Sequence, residues 1–146
     1  MDYGRLLMFW DQRIVLLTAI LNLTKQMEAQ SSQKDIQLGD LPEQRQVYID
    51  RLKKCNRMID VCQNKAKEDE LARLEQLLSG KGGVEPRTPE ERRLADYAQK
   101  SRCLLDSILA SDVEAQRKIR IECDRLQKLM RSARQKAGGT ANLQNP

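Results

Sequence analysis

The stretch IVLLTAILNL, residues 14–23, is the main apolar run in this chain of 146 residues, and only Thr18 and Asn22 in it are polar. Apolar residues around it recur in steps of four and three, the heptad rhythm of helices that pack side by side. A second apolar row lies beside the first, so the apolar face is wider than one partner helix can cover. The first row is Trp10, Ile14, Leu17, Leu21, Thr24 and Glu28, and the second is Leu16, Ile20, Leu23 and Met27.

The helical spacing of apolar residues on both sides of this run predicts a first helix over about residues 6–31, followed by a break over residues 31–39. Asp40 and Glu43 then have the spacing of a capping box, and Pro42 falls in the first turn, where a missing N–H costs little. A second helix is predicted from this point to about residue 78.

A third helix follows the clearest break in the chain, residues 79–89, which contains glycines and prolines. Thr88 is a candidate N-cap, Pro89 a first-turn proline and Glu91 the capping-box acid. The apolar row continues from there to about Lys136, which predicts a helix about 70 Å long at 1.5 Å per residue.

Polar residues interrupt these rows at Thr24, Ser101 and Asp112. A polar residue in a helix seam fixes the register at some cost in stability. The pair 111–112 could mark a kink or a new helix start, but no Gly or Pro intervenes, which favours a continuous helix. In the second helix the row is weak over residues 66–74, where four consecutive charges predict a bend or looser packing.

The predicted fold is all-α, an antiparallel up-down-up bundle of three long helices with coiled-coil-like packing, because short breaks join antiparallel neighbours. Residues 1–137 form one helical domain. Gly138 and Gly139 are expected to stop the last helix, which leaves residues 138–146 as a polar, disordered tail.

Composition argues against an enzyme. The chain has no histidine, so His general bases and His-rich metal sites are excluded, and we expect no catalytic residue, metal, cofactor or small-molecule substrate. The glycines of residues 80–83 lack the spacing and the strand of a phosphate-binding loop. The mean hydropathy is −0.67, and because no run of about 20 apolar residues occurs we expect no membrane span.

The four cysteines are Cys55, Cys62, Cys103 and Cys123, and none has a close neighbour in sequence. We interpret them as small apolar fillers of a helix seam, with a disulfide framework or metal cluster as the alternative. Reduced thiols and the lack of a cleavage site after the N-terminal apolar run predict a cytoplasmic protein.

Two features of the sequence suggest binding. The wide apolar face of the first helix is either covered by both neighbouring helices or open to an amphipathic partner helix or a second copy. The basic segment Arg117–Lys136 carries eight cations and two carboxylates, a net charge of +6. It is either a solvated face or a site for an acidic partner or nucleic acid. Nucleic acid is disfavoured because no aromatic residues lie between the cations.

Two segments resemble a known family. The first is DLPEQRQVYIDRLKKCNRMID, residues 40–60, and the second is LLDSILASDVEAQRKIRIECDRLQKLMRSARQKA, residues 104–137. The first is similar to the second helix, which contains an Arg-Gln pair, of FlgN- and FliT-like flagellar export chaperones, and the second is similar to the last helix of that family. The matching positions are Arg45, Gln46, Ile49, Asp50, Arg51 and Leu52 in the first, and Ile108, Leu109, Asp112, Glu114 and Ile119 in the second.

The resemblance implies a cytosolic chaperone that holds a hook-associated or filament-cap protein before export. Such a chaperone shields the client's C-terminal helical segment and passes the client to the export gate. Binding by helix addition would use apolar anchors at helical spacing. Our candidate anchors are Phe9, Trp10, Leu16, Ile20 and Leu23 on the first helix, with Leu126, Leu129 and Met130 on the last. The protein is then expected to be a monomer or a homodimer.

Two other hypotheses stay open. The first is a structural, self-associating coiled coil. The second is a nucleic-acid-associated helical protein that uses the basic third helix, for which binding would weaken with salt.

Overall fold

The structure, a computed structural model, describes residues 1–81 and 83–144. Within those residues it contains four helices and no strand, which confirms the all-α class. The helices are α1, Tyr3–Ser31; α2, Leu41–Asn64; α3, Glu68–Ser79; and α4, Pro89–Gln144. The prediction of three helices is therefore wrong in number.

The additional helix arises because the predicted second helix is divided. α2 ends at Asn64 and α3 begins at Glu68, where the apolar row of the sequence is weakest. Three carboxylates occupy the first turn of α3, Glu68, Asp69 and Glu70. Negative charge at a helix N-terminus is favoured by the helix dipole, so this charged run is suited to starting a new helix.

α1 lies between α2 and α4 and packs against both, and α3 packs against α4. Arg5 near the start of α1 and Cys62 near the end of α2 line one small cavity, so these two helices run in opposite directions. The wide apolar face of α1 is thus explained by its two neighbours.

α1 and α4 run in the same direction. Near their starts, the hydroxyl of Tyr97 donates to a carboxylate oxygen of Asp11 at 3.1 Å. Near the end of α1, the hydroxyl of Ser111 donates to Glu28 at 2.6 Å. Beyond this point α1 stops at Ser31 while α4 continues.

The core consists of two clusters of buried side chains. The first contains Leu6, Leu7, Trp10, Leu16, Cys55, Ile59, Cys62, Leu74, Leu94 and Ala98, and so draws on all four helices. The second contains Leu17, Ile20 and Ile108. Burial of this apolar area is the main favourable term in folding, at about 25 cal/mol per Å².

Each polar residue predicted in the apolar rows has a hydrogen-bond partner. The hydroxyl of Thr24 donates to the carbonyl of Ile20 at 2.7 Å. Ser101 accepts from Nε of Arg13 at 2.9 Å. Asp112 forms an ion pair with Arg45 of α2, and α4 is continuous through this position, which confirms the prediction of a single helix here.

The predicted N-cap of α4, Thr88, is confirmed, but the carboxylate of Glu91 accepts from the N–H of Arg87 and not from that of the N-cap. For α2 the predicted start at Asp40 and Pro42 is confirmed, but the capping hydrogen bond is not. The backbone N–H of Glu91 donates to Oγ1 of Thr88 at 3.1 Å, and Oε1 of Glu91 accepts from the N–H of Arg87 at 2.8 Å. At the start of α2, Asp40 makes no capping hydrogen bond with its side chain. Its carboxylate accepts from the side-chain amide of Gln44 instead, at 2.8 Å.

The end of α4 differs from the prediction. Gly138 and Gly139 do not stop the helix, which continues to Gln144. A glycine costs a helix only about 1 kcal/mol relative to alanine, so two glycines weaken a long helix without having to end it. Residues 145–146 of the predicted tail lie outside the described residues.

By length and composition alone, α1 could cross a membrane. It contains an 18-residue window with a mean hydropathy of 1.4, and 44% of that window is buried in the fold. A core helix and an N-terminal signal sequence can both have this composition. The absence of a membrane span therefore stays a prediction.

Candidate partner-binding surface

The predicted anchors on α1 lie mostly in the core. Trp10, Leu16, Ile20 and Leu23 are buried, with between 4% and 9% of each side chain exposed. The hypothesis of an open groove on α1 is therefore wrong for these residues. The physical reason is that α2 and α4 cover both apolar rows, which was the alternative that the sequence left open.

Phe9 is partly buried and packs against the first core cluster. Its carbonyl accepts a hydrogen bond from the thiol of Cys55 at 3.2 Å, and the Arg5 guanidinium lies 5.9 Å from its ring centre. These contacts give Phe9 a structural role at the end of the bundle.

The predicted anchors on α4 are exposed. The exposed fractions of Leu126, Leu129 and Met130 are 46%, 54% and 54%. Every residue from Cys123 to Gly138 is exposed, and we call residues 123–138 the projecting segment. It continues about 24 Å at 1.5 Å per residue past the part of α4 that packs on α1.

The apolar face of the projecting segment continues the core face of α4. Ile108 and Ala115 are buried against the bundle. At 3.6 residues per turn, Leu126, Met130 and Ala133 lie on the same side of the helix as these two residues. The face that α1 covers in the first half of α4 is therefore uncovered in the second half, because α1 ends at Ser31.

A groove lies where the projecting segment leaves the bundle. The loop between α1 and α2 approaches α4 here and encloses about 620 Å³. Ile36 and Leu38 of the loop face Ile119 and Leu126 of α4 across this groove. These loop residues were not predicted from the sequence, where their only signal is that two isolated apolar residues occur in a polar connection.

Seven of the eight cations of the basic segment fall into two groups, and the eighth, Lys136, also has an interaction partner. Arg117 pairs with Glu114, Arg125 pairs with Glu122, and Lys118 donates to Ser32 at 2.6 Å. In the part of the chain that the structure describes, four other cations have no ion pair or hydrogen bond: Arg120, Lys128, Arg131 and Arg134.

The carboxylates of this region are neutralised locally. Hydrogen bonds from the Arg125 guanidinium hold the pKa of Glu122 below its ordinary value, and Arg117 does the same for Glu114. Both pairs are on the surface, where such pairs contribute little to stability. Neither carboxylate is therefore free to offset the cations of the projecting segment, whose sequence has a net positive charge.

All four cysteines are free thiols. Cys55 and Cys62 are buried in the first core cluster, which confirms the filler interpretation for these two, whereas Cys103 and Cys123 are exposed. Burial raises the pKa of the Cys55 thiol, an effect that the Arg13 guanidinium partly offsets. Over residues 1–81 and 83–144, no three His, Cys, Asp or Glu side chains are grouped to hold a metal ion.

Comparison with known proteins gives no relative. No family model matches the chain, and neither a curated protein nor a solved structure has significant similarity to it.

Proposed function

We propose that this protein is a cytoplasmic flagellar export chaperone, a binding protein and not an enzyme. It holds the C-terminal helical segment of a hook-associated or filament-cap protein, prevents premature assembly of that client and delivers it to the export apparatus. The proposed architecture is an antiparallel up-down-up bundle of α1, α2 and α4 with coiled-coil-like packing. The flagellar part of the proposal rests on the sequence resemblance.

The single observation that carries the binding function is the uncovered apolar face of the projecting segment. A helix whose apolar face continues past its partners presents a ready-made site for one more helix. Leu126, Leu129 and Met130 remain the proposed anchors on this face. The anchors on α1 are withdrawn because Trp10, Leu16, Ile20 and Leu23 are buried and Phe9 packs against the core.

The ion pair between Arg45 and Asp112 is consistent with the resemblance. Arg45 belongs to the first of the two similar segments and Asp112 to the second. The two side chains are joined by hydrogen bonds of 2.8 and 2.6 Å. The ion pair gives a physical reason for the two similar segments to occur in the same chain, because Arg45 of one neutralises Asp112 of the other.

The experiment is a calorimetric titration of the full chain with synthetic C-terminal segments of hook-associated and cap proteins. We expect one of them to bind, and Leu126→Glu with Met130→Glu to weaken that binding by about tenfold or more, since a buried charge is costly at an interface. Leu109→Glu with Val113→Glu is the matched control, because these two are also exposed apolar residues of the same helix, outside the projecting segment. The proposal would be contradicted if no segment bound, or if both double variants lost the same amount of binding affinity.

A self-associating coiled coil is the second candidate. The observation that favours it is the heptad spacing of Cys123, Leu126, Met130, Ala133 and Ala137 along the exposed face. Sedimentation equilibrium of the full chain distinguishes the two. Concentration-dependent assembly without a client, lost in the Leu126→Glu and Met130→Glu double variant, would favour self-association.

A further inference from the structure

The charge of the projecting segment specifies the chemistry of its partner. We infer that the occupant of its apolar face is an amphipathic helix whose apolar row is flanked by carboxylates. This inference rests on the proposed binding function of the same surface and adds the partner's charge, which the resemblance does not supply.

The apolar row requires a partner with an apolar face. Leu126, Leu129 and Met130 are about half exposed, and they follow the heptad steps that continue from the core of the bundle. The groove beside Ile36 and Leu38 extends this apolar surface at the base of the segment. A helix laid along the row would bury the anchors and end its contact in this groove.

The flanks of the row require negative charge. At 3.6 residues per turn, Arg120, Arg131 and Arg134 lie together along one side of the row. None of these three has an ion pair or hydrogen bond within the described part of the chain. Arg125 lies on the other side, and its partner Glu122 is on its own helix. Carboxylates along that first side of a docked helix would therefore meet the guanidinium groups of Arg120, Arg131 and Arg134, which have no partner within the described residues. On the other side, carboxylates would meet Arg125, which already shares its charge with Glu122.

A second copy of the chain is a poor occupant for the same reason. The basic segment carries a net charge of +6, so two copies side by side would place like charges along both flanks. Like charges at the flanking positions of a helix pair oppose association, whereas opposite charges select the partner.

Nucleic acid and an anionic membrane also fit less well. Phosphates would satisfy the cations but leave Leu126 and Met130 exposed, and residues 117–136 contain no aromatic side chain for base stacking. Helices that bind a membrane surface bury large apolar groups such as Trp, Phe and Leu. The row contains small residues at Ala133 and Ala137, which suit close helix packing better.

The test uses two fluorescent synthetic peptides with the same leucine heptad row. Glutamates flank the row in one peptide and lysines flank it in the other. Fluorescence anisotropy with the full chain should show the glutamate peptide binding about tenfold or more tightly than the lysine peptide, with affinity falling as salt is added.

Two charge variants locate the effect. Arg131→Glu with Arg134→Glu should weaken binding of the glutamate peptide by about tenfold or more, because it replaces attraction by repulsion. Lys53→Glu with Lys54→Glu on α2 is the control with the same change in net charge, and it should alter the affinity by less than about twofold. Circular dichroism checks that both variants keep their helices. The peptide pair on the unmodified chain decides the question if either variant unfolds.

The inference is overturned if the two peptides bind equally, if the Arg131 and Arg134 variant binds normally, or if only phosphatidylglycerol vesicles or single-stranded DNA bind. It is also overturned if the face is occupied by a second copy of the chain.

The acidic-helix inference and the proposed flagellar function can fail independently, and the peptide experiments distinguish the two failures. If the glutamate peptide binds as expected and the flagellar segments do not, the flagellar proposal is wrong and the acidic-helix inference stands. If a flagellar segment binds and the Arg131 and Arg134 variant binds it normally, the acidic-helix inference is wrong and the flagellar proposal stands.

Discussion

Arg45 of α2 and Asp112 of α4 form a forked ion pair, with Nη1 2.8 Å from Oδ1 and Nη2 2.6 Å from Oδ2. Both side chains are largely shielded from solvent, with 19% and 26% exposed. Asp112 occupies a position in the apolar row of α4, where an unpaired carboxylate would be costly. The pair therefore explains how a charged residue is accommodated in the seam, and it links two helices that both pack on α1.

The contribution of this pair can be measured by removing one partner. We expect Asp112→Ala to lower the free energy of unfolding by about 1–3 kcal/mol, because Arg45 loses two charge-assisted hydrogen bonds. Urea denaturation followed by circular dichroism measures the change. Asp106→Ala, at an exposed position on the same helix, is the control and should have little effect. Equal stability of the two variants would show that the ion pair has no structural role.

A second prediction concerns pH and Glu91. Hydrogen bonds from Arg73 of α3, together with the N–H of Arg87, lower the pKa of this carboxyl. A lowered pKa in the folded state stabilises the protein above the ordinary pKa of Glu, about 4.3, and that stabilisation is lost as pH falls through the folded value. The chain should therefore lose stability on acidification.

The sequence offers a matched pair of variants for this measurement. Glu91→Gln should reduce the dependence of the unfolding free energy on pH between about 7 and about 3, since the titrating group is gone. Glu90→Gln, at the exposed neighbouring position, should leave that dependence nearly unchanged. A Glu91→Gln variant with the pH profile of the unmodified chain would mean that the hydrogen bonds to Arg73 do not form.

The cysteines provide a third prediction, about reactivity. Cys103 and Cys123 are exposed and should react with a thiol reagent in the folded protein, whereas Cys55 and Cys62 should react only on unfolding. Burial also raises the pKa of Cys55, which lowers its thiolate fraction at neutral pH. The number of thiols that react rapidly, counted in native buffer and again in denaturant, checks this. Rapid reaction of all four in native buffer would contradict the described core.

A fourth prediction separates the core face of α1 from the exposed face of α4. Leu16→Glu with Ile20→Glu places two charges in the core and should abolish cooperative unfolding. Leu126→Glu with Met130→Glu changes only exposed positions, so its melting temperature should stay within a few degrees of that of the unmodified chain. Thermal denaturation followed by circular dichroism compares them. If the variant with Leu16→Glu and Ile20→Glu unfolded as cooperatively as the unmodified chain, these residues would not be core and α1 would again be a candidate binding face.

Much of this fold follows from local signals in the sequence. The glycine and proline break before Thr88, the N-cap itself and the continuity of α4 through Asp112 were all predicted correctly. These features depend on the residues that form them and their immediate neighbours. The predicted end of α4 at Gly138 failed, because a glycine only lowers helix stability.

The covering of α1 could not be predicted in the same way. The double apolar row shows how wide the buried face is, but not whether the neighbours come from the same chain or from a partner. Whether α2 and α4 cover both apolar rows of α1 depends on how the three helices pack in the folded chain, which local sequence signals do not specify. The partner for Glu91 was also beyond the sequence, because Arg73 lies on a different helix, α3, and meets Glu91 only through the packing of α3 on α4.

The central claim is that the projecting segment is the free recognition surface and that α1 is core. Hydrogen–deuterium exchange on the full chain tests it most directly, with and without the glutamate-flanked peptide. Amides of residues 123–138 should exchange rapidly in the free chain and become protected when the peptide binds, while those of residues 14–23 should exchange slowly in both states. Slow exchange of residues 123–138 in the free chain, or peptide protection confined to α1, would contradict the account.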